Sequence, residues 1–410
     1  MKTVLTNCTV IDCTGQEPMQ DTTVVIEGEK IAELKPGIVY QPVEGEGQVR
    51  VFDLQGGYVL PGLWSCHAHL GSIFPDPKNL RATESVADNC IRCGRNAIDA
   101  LRVGITGIRS VADRDYVDIA WKRAFNAGVM VGPRLFCSGM GVIITGGHGW
   151  TSPGTVEVDG PYEVRKAVRE QLKRGADQIK LMITGGVATS GESMTECQFL
   201  LDEIRAATEV AHEKGKRVGV HCGSYGGAKR AIQGGVDVIH HGYYLDDEVI
   251  EMMAEHGTWY VPTMFVTQYE EFMIKSGMKP FQLEKARGAA KAHREGFQKA
   301  LKAGVKMCAG ADSSPIAEFT LVDIEQLVKC GMTEMQALMA ATRNAAELND
   351  VVDQLGTVEV GKLADLIVLS ADPLDNISNI RELKMVMKGG HVVDTSPQEG
   401  LADFWELFFT

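Results

Sequence analysis

What most constrains this chain is a long alternation of two patterns. Eight short β-rich runs (58–66, 105–111, 134–139, 177–183, 217–222, 236–241, 258–264 and 305–311) are separated by amphipathic helical stretches such as ESVADNCIRCGRNAIDALRVG and TECQFLLDEIRAATEVAHEKG. Strands joined through helices pair in parallel, because each connection must cross back over the sheet. Eight strand–helix units over about 290 residues predict a (β/α)8 TIM barrel. A doubly wound sheet shares the alternation, but no GxGxxG opens the first unit.

The flanks have a different period. Residues 1–57 hold TVLTNCTVID and TTVVIEGEKIAELK, which alternate apolar and polar residues between Gly-containing turns, and the period of two returns in LGTVEVGKLADLIVLS and KMVMKGGHVVD. The predicted architecture is an α/β chain with three parts. A barrel spans 58–354, a small β-sandwich domain is built from both chain ends (1–57 plus 355–396), and an apolar C-terminal tail (397–410) packs on the body or on a partner subunit. That tail and the β domain suit a homo-oligomer.

Composition excludes several classes. At 44% hydrophobic and 23% charged residues over 410 positions, the chain can bury a large core and is not predominantly disordered. No run approaches the roughly 18–20 apolar residues of a membrane span. The net charge is −13, from 41 basic and 54 acidic residues, and no dense Lys/Arg cluster offers a footprint for nucleic acid. The start lacks the apolar core of a signal peptide, and the cysteines are scattered through apolar runs as reduced thiols would be. A cytoplasmic setting is expected. Cys90 and Cys93 form a single CxxC in a helical pattern with no second pair, which points to packing rather than metal.

Chemistry in such a barrel sits at the C-terminal ends of the strands. The first run ends in His67-Ala68-His69, the fourth contains Lys180, the fifth ends at His221, the sixth at His240-His241 and the eighth at Asp312. Alternation along a strand puts His67 and His69 on one side, and His240 and His241 on opposite sides. A lone histidine reads as a satisfied core residue. Imidazoles and a carboxylate recurring at several strand ends read as a site for divalent metal, for which zinc is well suited.

Several motifs now carry a resemblance: VLPGLWSCHAHL, GADQIKLMITGG, RVGVHCGS, VDVIHHG, MCAGADS and the closing NAAELNDVVDQLGTVEVGKLADLIVL. Over nearly its whole length the sequence resembles the amidohydrolase superfamily. Within it, ITGGHG, IKLMITGG and YVPT are similar to the prolidase-like and arginine-carboxypeptidase-like metallopeptidases. The resemblance implies a binuclear zinc site, with His67, His69 and Asp312 on one ion and His221 and His241 on the other. Lys180, carboxylated on its amine by carbon dioxide, would bridge them. Two departures stand out: Ser65 and Cys66 occupy the place where the family often has an Asp two residues before the first His, and His240 stands where an acidic residue often precedes the sixth-strand His. Gly242 after His241 makes His241 the better ligand and leaves His240 to packing or to a contact behind a ligand. Cys222 reads as a buried structural thiol.

Such a site implies hydrolysis of an amide by a metal-bridging hydroxide, with Asp312 moving the proton to the leaving nitrogen. His148, in the loop TGGHGW after the third strand, is the candidate donor to the developing oxyanion. A substrate carboxylate would want Arg109, Tyr225 or Tyr260, of which Tyr225 is in a position similar to a carboxylate-binding tyrosine of the prolidase-like group. Gly185-Gly186 lets the chain approach the site, and VATSGES beyond it could form a mobile lid. The expected substrate is a small molecule with an amide bond, a dipeptide or N-acyl amino acid. Cyclic amides, carbamates and anilides are the alternative, and a non-catalytic binding protein on an inherited barrel is a third reading.

Overall fold

The computed structural model describes residues 2–40, 48–71, 76, 80–310 and 312–396, with the side chains of 81 and 82 left aside; the tail at 397–410 lies outside the described residues. Strands β1 (Lys2–Val10), β2 (Met19–Glu27) and β3 (Lys30–Pro36) form an antiparallel meander, and β4 (Val49–Pro61) runs parallel to β1. The chain changes layer at Gly62. Pro61 still pairs in the first sheet, whereas Leu63 pairs with Ile105 in the next. A Cβ at Gly62 would run into the side chain of Thr106, so the crossing needs glycine.

β5 (Leu63–Ala68), β6 (Ile105–Ser110) and β7 (Arg134–Cys137) form a three-stranded parallel sheet. β8 (Gly141–Ile143), β9 (Thr155–Glu157), β10 (Gln178–Met182), β11 (Arg217–Cys222), β12 (Val238–His241) and β13 (Trp259–Val261) form a second parallel sheet in the order β13-β12-β11-β10-β8-β9. The third predicted run, 134–139, yields only β7; the strand that pairs with β10 is β8, beyond the run, with Gly139 at φ 67° between the two. The eighth run gives only an isolated bridge, Tyr260 to Met307. Its backbone nevertheless joins the two sheets. Tyr260 N donates to Lys306 O (2.9 Å) on one side, and Cys66 N donates to Ala309 O and Asp312 N to His67 O (2.7 Å each) on the other. Across the opposite seam Asp177 N donates to Cys137 O (2.7 Å). No continuous ladder runs round the barrel among the described residues, but hydrogen bonds link the sheets at both seams.

The helices that matter for the site are α1 (Val86–Arg102), α2 (Gly160–Arg174), α3 (Leu201–His212), α4 (Tyr225–Gln233), α5 (Asp247–His256) and α6 (Pro280–Lys302). Their starts follow local rules: Ser85 and Asp88 make a reciprocal capping box on α1, and Asp246 caps α5 by accepting from Val249 N (2.9 Å). The apolar face of α1 buries Cys93, Ala97, Ala100 and Leu101 against β5 and β6 in the main core. Cys93 is thus a packing residue, its thiol pushed well above its ordinary value by burial. Each fully buried Leu, Ile or Val of this core contributes roughly 1.5–3 kcal/mol.

β14 (Leu366–Leu369), β15 (Leu383–Lys388) and β16 (His391–Val393) return to the first sheet, whose order is β16-β15-β14-β4-β1-β2-β3. The expected sandwich takes the form of one seven-stranded hydrogen-bonded sheet. Its second core gathers Leu5, Val10, Val24, Ile26, Ile31, Val59, Leu366 and Val368, residues from both chain ends.

Candidate metal-dependent active site

His67, His69, His148, Lys180, His221, His241 and Asp312 line one cleft at the C-terminal ends of the barrel strands, together with Tyr243 and an apolar wall of Met182, Val187, Ala188 and Val266. His67 and His69 converge as strand alternation requires, their Nε2 atoms 3.4 Å apart. Both reach Asp312 Oδ1, at 3.1 and 3.5 Å, and His241 Nδ1 lies 3.7 Å from Oδ2. Ligand atoms of His67, His241 and Asp312 all fall within 4.8 Å of one another. His221 continues the arc: its ring centroid is 4.5 Å from that of His241 and 4.1 Å from that of His148.

Burial sets the protonation of these groups. It lowers His67 to about 3 and holds His221 and His241 well below the ordinary imidazole value, so the rings are neutral, the form that ligates metal. Burial also acts to push Asp312 up, but the neighbouring His67 and His241 outweigh it and hold the carboxyl well below its usual range. Lys180 is 1% exposed, and its Nζ has no hydrogen-bond partner. Burial lowers it to about 7; Asp312 opposes this and Arg109 adds to it. An orphaned buried amine among neutral imidazoles and one carboxylate is a donor set that fits divalent metal, and a carboxylated amine would satisfy the orphan.

His240 corrects one expectation. Alternation places it on the far face from His241, yet its Nδ1 lies 2.9 Å from His67 Nδ1 inside the barrel. The reason is His241, whose φ of 68° takes it out of the strand conformation and lets successive residues face inward. His240 thus holds His67 from below. Two further groups fix His241: Thr263 Oγ1 lies 2.8 Å from its Nδ1, and Tyr260 donates its hydroxyl to the His241 carbonyl (2.8 Å).

That last bond also corrects the reading of Tyr260 as a substrate contact. The residue is fully buried behind the cleft, its phenol committed to the last residue of β12. Arg109 does not line the cleft either. It is 2% exposed, and its Nη1 donates to Asn349 Oδ1 (2.9 Å). Tyr225 opens α4 directly after the capping Ser224, a position that turns its ring outward, and it is 57% exposed. Cys222 donates to Ser224 O (3.3 Å), and burial pushes its thiol up to about 12, so it is a packing residue.

Sequence reasoning missed Tyr243, which stacks on His241 (5.3 Å between centroids, 16°), and Glu192, which bonds His148 Nδ1 from within VATSGES. Tyr243 lies two residues beyond His241 and before the helix, which is a usable signal. Glu192 lies in an aperiodic loop and offered none. Gly186 is required for its neighbourhood, because a Cβ there would strike the His148 ring and lie 2.8 Å from His221 Cε1.

Known proteins share this frame. Residues 58–393 match the amidohydrolase family. Ochratoxinase of Aspergillus niger is 31% identical over 362 residues, covering 81% of this chain and 75% of that protein. The crystal structure of a Xaa-Pro dipeptidase with bound methionine in the active site superposes with a TM-score of 0.86 at 32% identity, covering 96% of this chain and all of that one. A prolidase complexed with N-methylphosphonate-L-proline gives the same TM-score at 30% identity, over 96% and 99% of the two chains. The chain belongs to the amidohydrolase family, a family of generally metal-dependent hydrolases acting on C–N bonds.

Proposed function

We propose that this protein hydrolyses the amide bond of dipeptides or N-acyl amino acids at a binuclear zinc site. His67, His69 and Asp312 would hold one ion and His221 and His241 the other, with carboxylated Lys180 between them. The observation that carries the reading is the convergence of four imidazoles, one carboxylate and one orphaned buried amine on a single cleft. When bound, the metal pair supplies an activated water and polarises the substrate carbonyl. The protein's own residues do the rest. Asp312, held ionised beside His67 and His69, accepts the proton from water and passes it to the leaving nitrogen. His148 faces the substrate carbonyl, and the apolar wall of Met182, Val187, Ala188 and Val266 excludes water from the side chain. The dipeptidase and prolidase likenesses support this substrate class.

A second reading is favoured by the positions of Arg109, Tyr225 and Tyr260, none of which lines the cleft. Among the described residues the polar wall offers His148, Ser152 and Thr155 rather than a guanidinium. That wall also suits uncharged cyclic amides, carbamates or anilides. The deciding experiment follows amine release from a dipeptide and N-acyl amino acid library by zinc-reconstituted protein, with the chelated protein as control. Turnover that disappears on chelation supports the first reading. Silence across the library with two metals bound per chain overturns it in favour of the second.

We also propose a cytoplasmic homo-oligomer. All ten cysteines are free thiols, and Val129, Met130 and Val131 form an exposed apolar cluster. No helix among the described residues is long and apolar enough to cross a membrane. A single-chain mass by light scattering would overturn the assembly.

A further inference from the structure

We infer that Glu192 is a positioning residue for His148, and that the strap from Gly185 to Ser193 carries it. This rests on the proposed reading that His148 faces the substrate carbonyl.

His148 has little fixing it through its own chain, since it sits between two glycines in the loop joining β8 to β9. Its backbone N donates to Gln198 Oε1 (2.8 Å), which places the residue but leaves its ring free to turn. Two contacts stop that rotation. One face of the ring stacks on His221, with 18° between the planes. The edge is taken by Glu192, whose Oε1 bonds Nδ1 and also accepts from Gly186 N (2.9 Å). Burial acts to raise this carboxyl, but its bonds to His148 and Gly186 outweigh that and keep it below the ordinary glutamate value, as an ionised acceptor. An acceptor-only carboxylate on Nδ1 selects the tautomer with its proton there, and leaves Nε2 as the nitrogen for substrate.

The strap that delivers Glu192 is itself anchored. Lys285 on α6 donates to Gly186 O (2.8 Å) and Thr189 O (2.7 Å), and Gln282 Nε2 donates to Ala188 O (3.1 Å). The helix therefore fixes the strap, the strap fixes the carboxylate, and the carboxylate fixes the imidazole. Val187 and Ala188 of the same strap line the cleft, so the segment that orients His148 also shapes the wall beside it.

The test uses Glu192→Gln, His148→Gln and the double variant, each checked for an unchanged thermal midpoint and metal content; Glu192→Asp replaces the amide variant should that fail to fold. Proton NMR of the intact protein should show a downfield imidazole N–H signal that is absent in H148Q and displaced in E192Q. With a hydrolysed substrate, E192Q should lower kcat about ten- to a hundredfold with KM changed little. The double variant should be no slower than H148Q alone, because Glu192 acts through that ring. A downfield signal identical in E192Q and wild type overturns the inference, as do rate losses that multiply. The NMR signal needs no substrate, so it decides the positioning role even where no amide is turned over and the functional reading has failed.

Discussion

The two ends of the barrel handle backbone strain differently. At the end where helices hand over to strands, the left-handed conformation falls to glycine: Gly175 (φ 106°) closes α2 before β10, and Gly257 (φ 67°) closes α5 before β13. Glycine takes that conformation without penalty. At the opposite end glycines such as Gly139 (67°) and Gly242 (59°) share the left-handed conformation with residues that carry side chains, among them Ala112 (61°), His241 (68°), Thr263 (50°) and Asp312 (50°). Each of the four with a side chain costs of order 1–3 kcal/mol. Three of them line the cleft and Thr263 bonds His241. One end is built for stability, and the other accepts strain so that particular side chains can point inward.

Substitutions can break or sharpen this contrast. The largest effect belongs to Asp312→Asn, which keeps shape but removes the carboxylate; turnover should fall by about a thousandfold or more while circular dichroism and the melting curve stay near wild type. Gly186→Ala comes next. Its methyl would meet the rings of His148 and His221, and we expect a loss of about 1–3 kcal/mol in stability by urea titration, together with at least tenfold in kcat/KM. Gly257→Ala has open space for its methyl, so only the backbone objects. It should cost about 1 kcal/mol by the same titration and leave kcat/KM unchanged. A loss of activity there would erase the distinction between the ends. The smallest effect is the reverse change, Ala112→Gly, which relieves a left-handed alanine; denaturation should show a gain of at most about 1 kcal/mol.

The contrast also explains what could be read from sequence. Strand ends are legible because runs of β-rich residues stop at recognisable places, and His67, His69, His221, His241 and Asp312 stand there. Side-chain direction was legible wherever the strand stayed regular, as for His67 and His69. It failed at His240, because the left-handed turn of His241 is not encoded in a hydrophobic period. Arg109 and Tyr260 have residue types suited to a substrate, but a strand residue near the functional end can equally bond to the neighbouring backbone or to a helix, as both do. Tyr225 is placed by one local event that its residue type does not announce, the Ser224 cap that starts α4 and leaves the tyrosine outside the cleft lining. The strap with Glu192 follows no period at all; its course is set by Lys285 and Gln282, about a hundred residues away.

The strained rim bears on how the protein breathes. His241, Thr263 and Asp312 belong to three successive strand positions, and each would relax if its segment let go of its neighbours. Regions that gain by opening exchange their amide protons sooner than the core around them. The rim of the metal-free protein should therefore be an early-exchanging unit, while the glycine-turned end stays protected. Ions held by His67, His69 and Asp312 and by His221 and His241 would lock those strand ends together and slow that exchange in proportion to their affinity. Metal supply would then govern the lifetime of the folded chain as well as its chemistry.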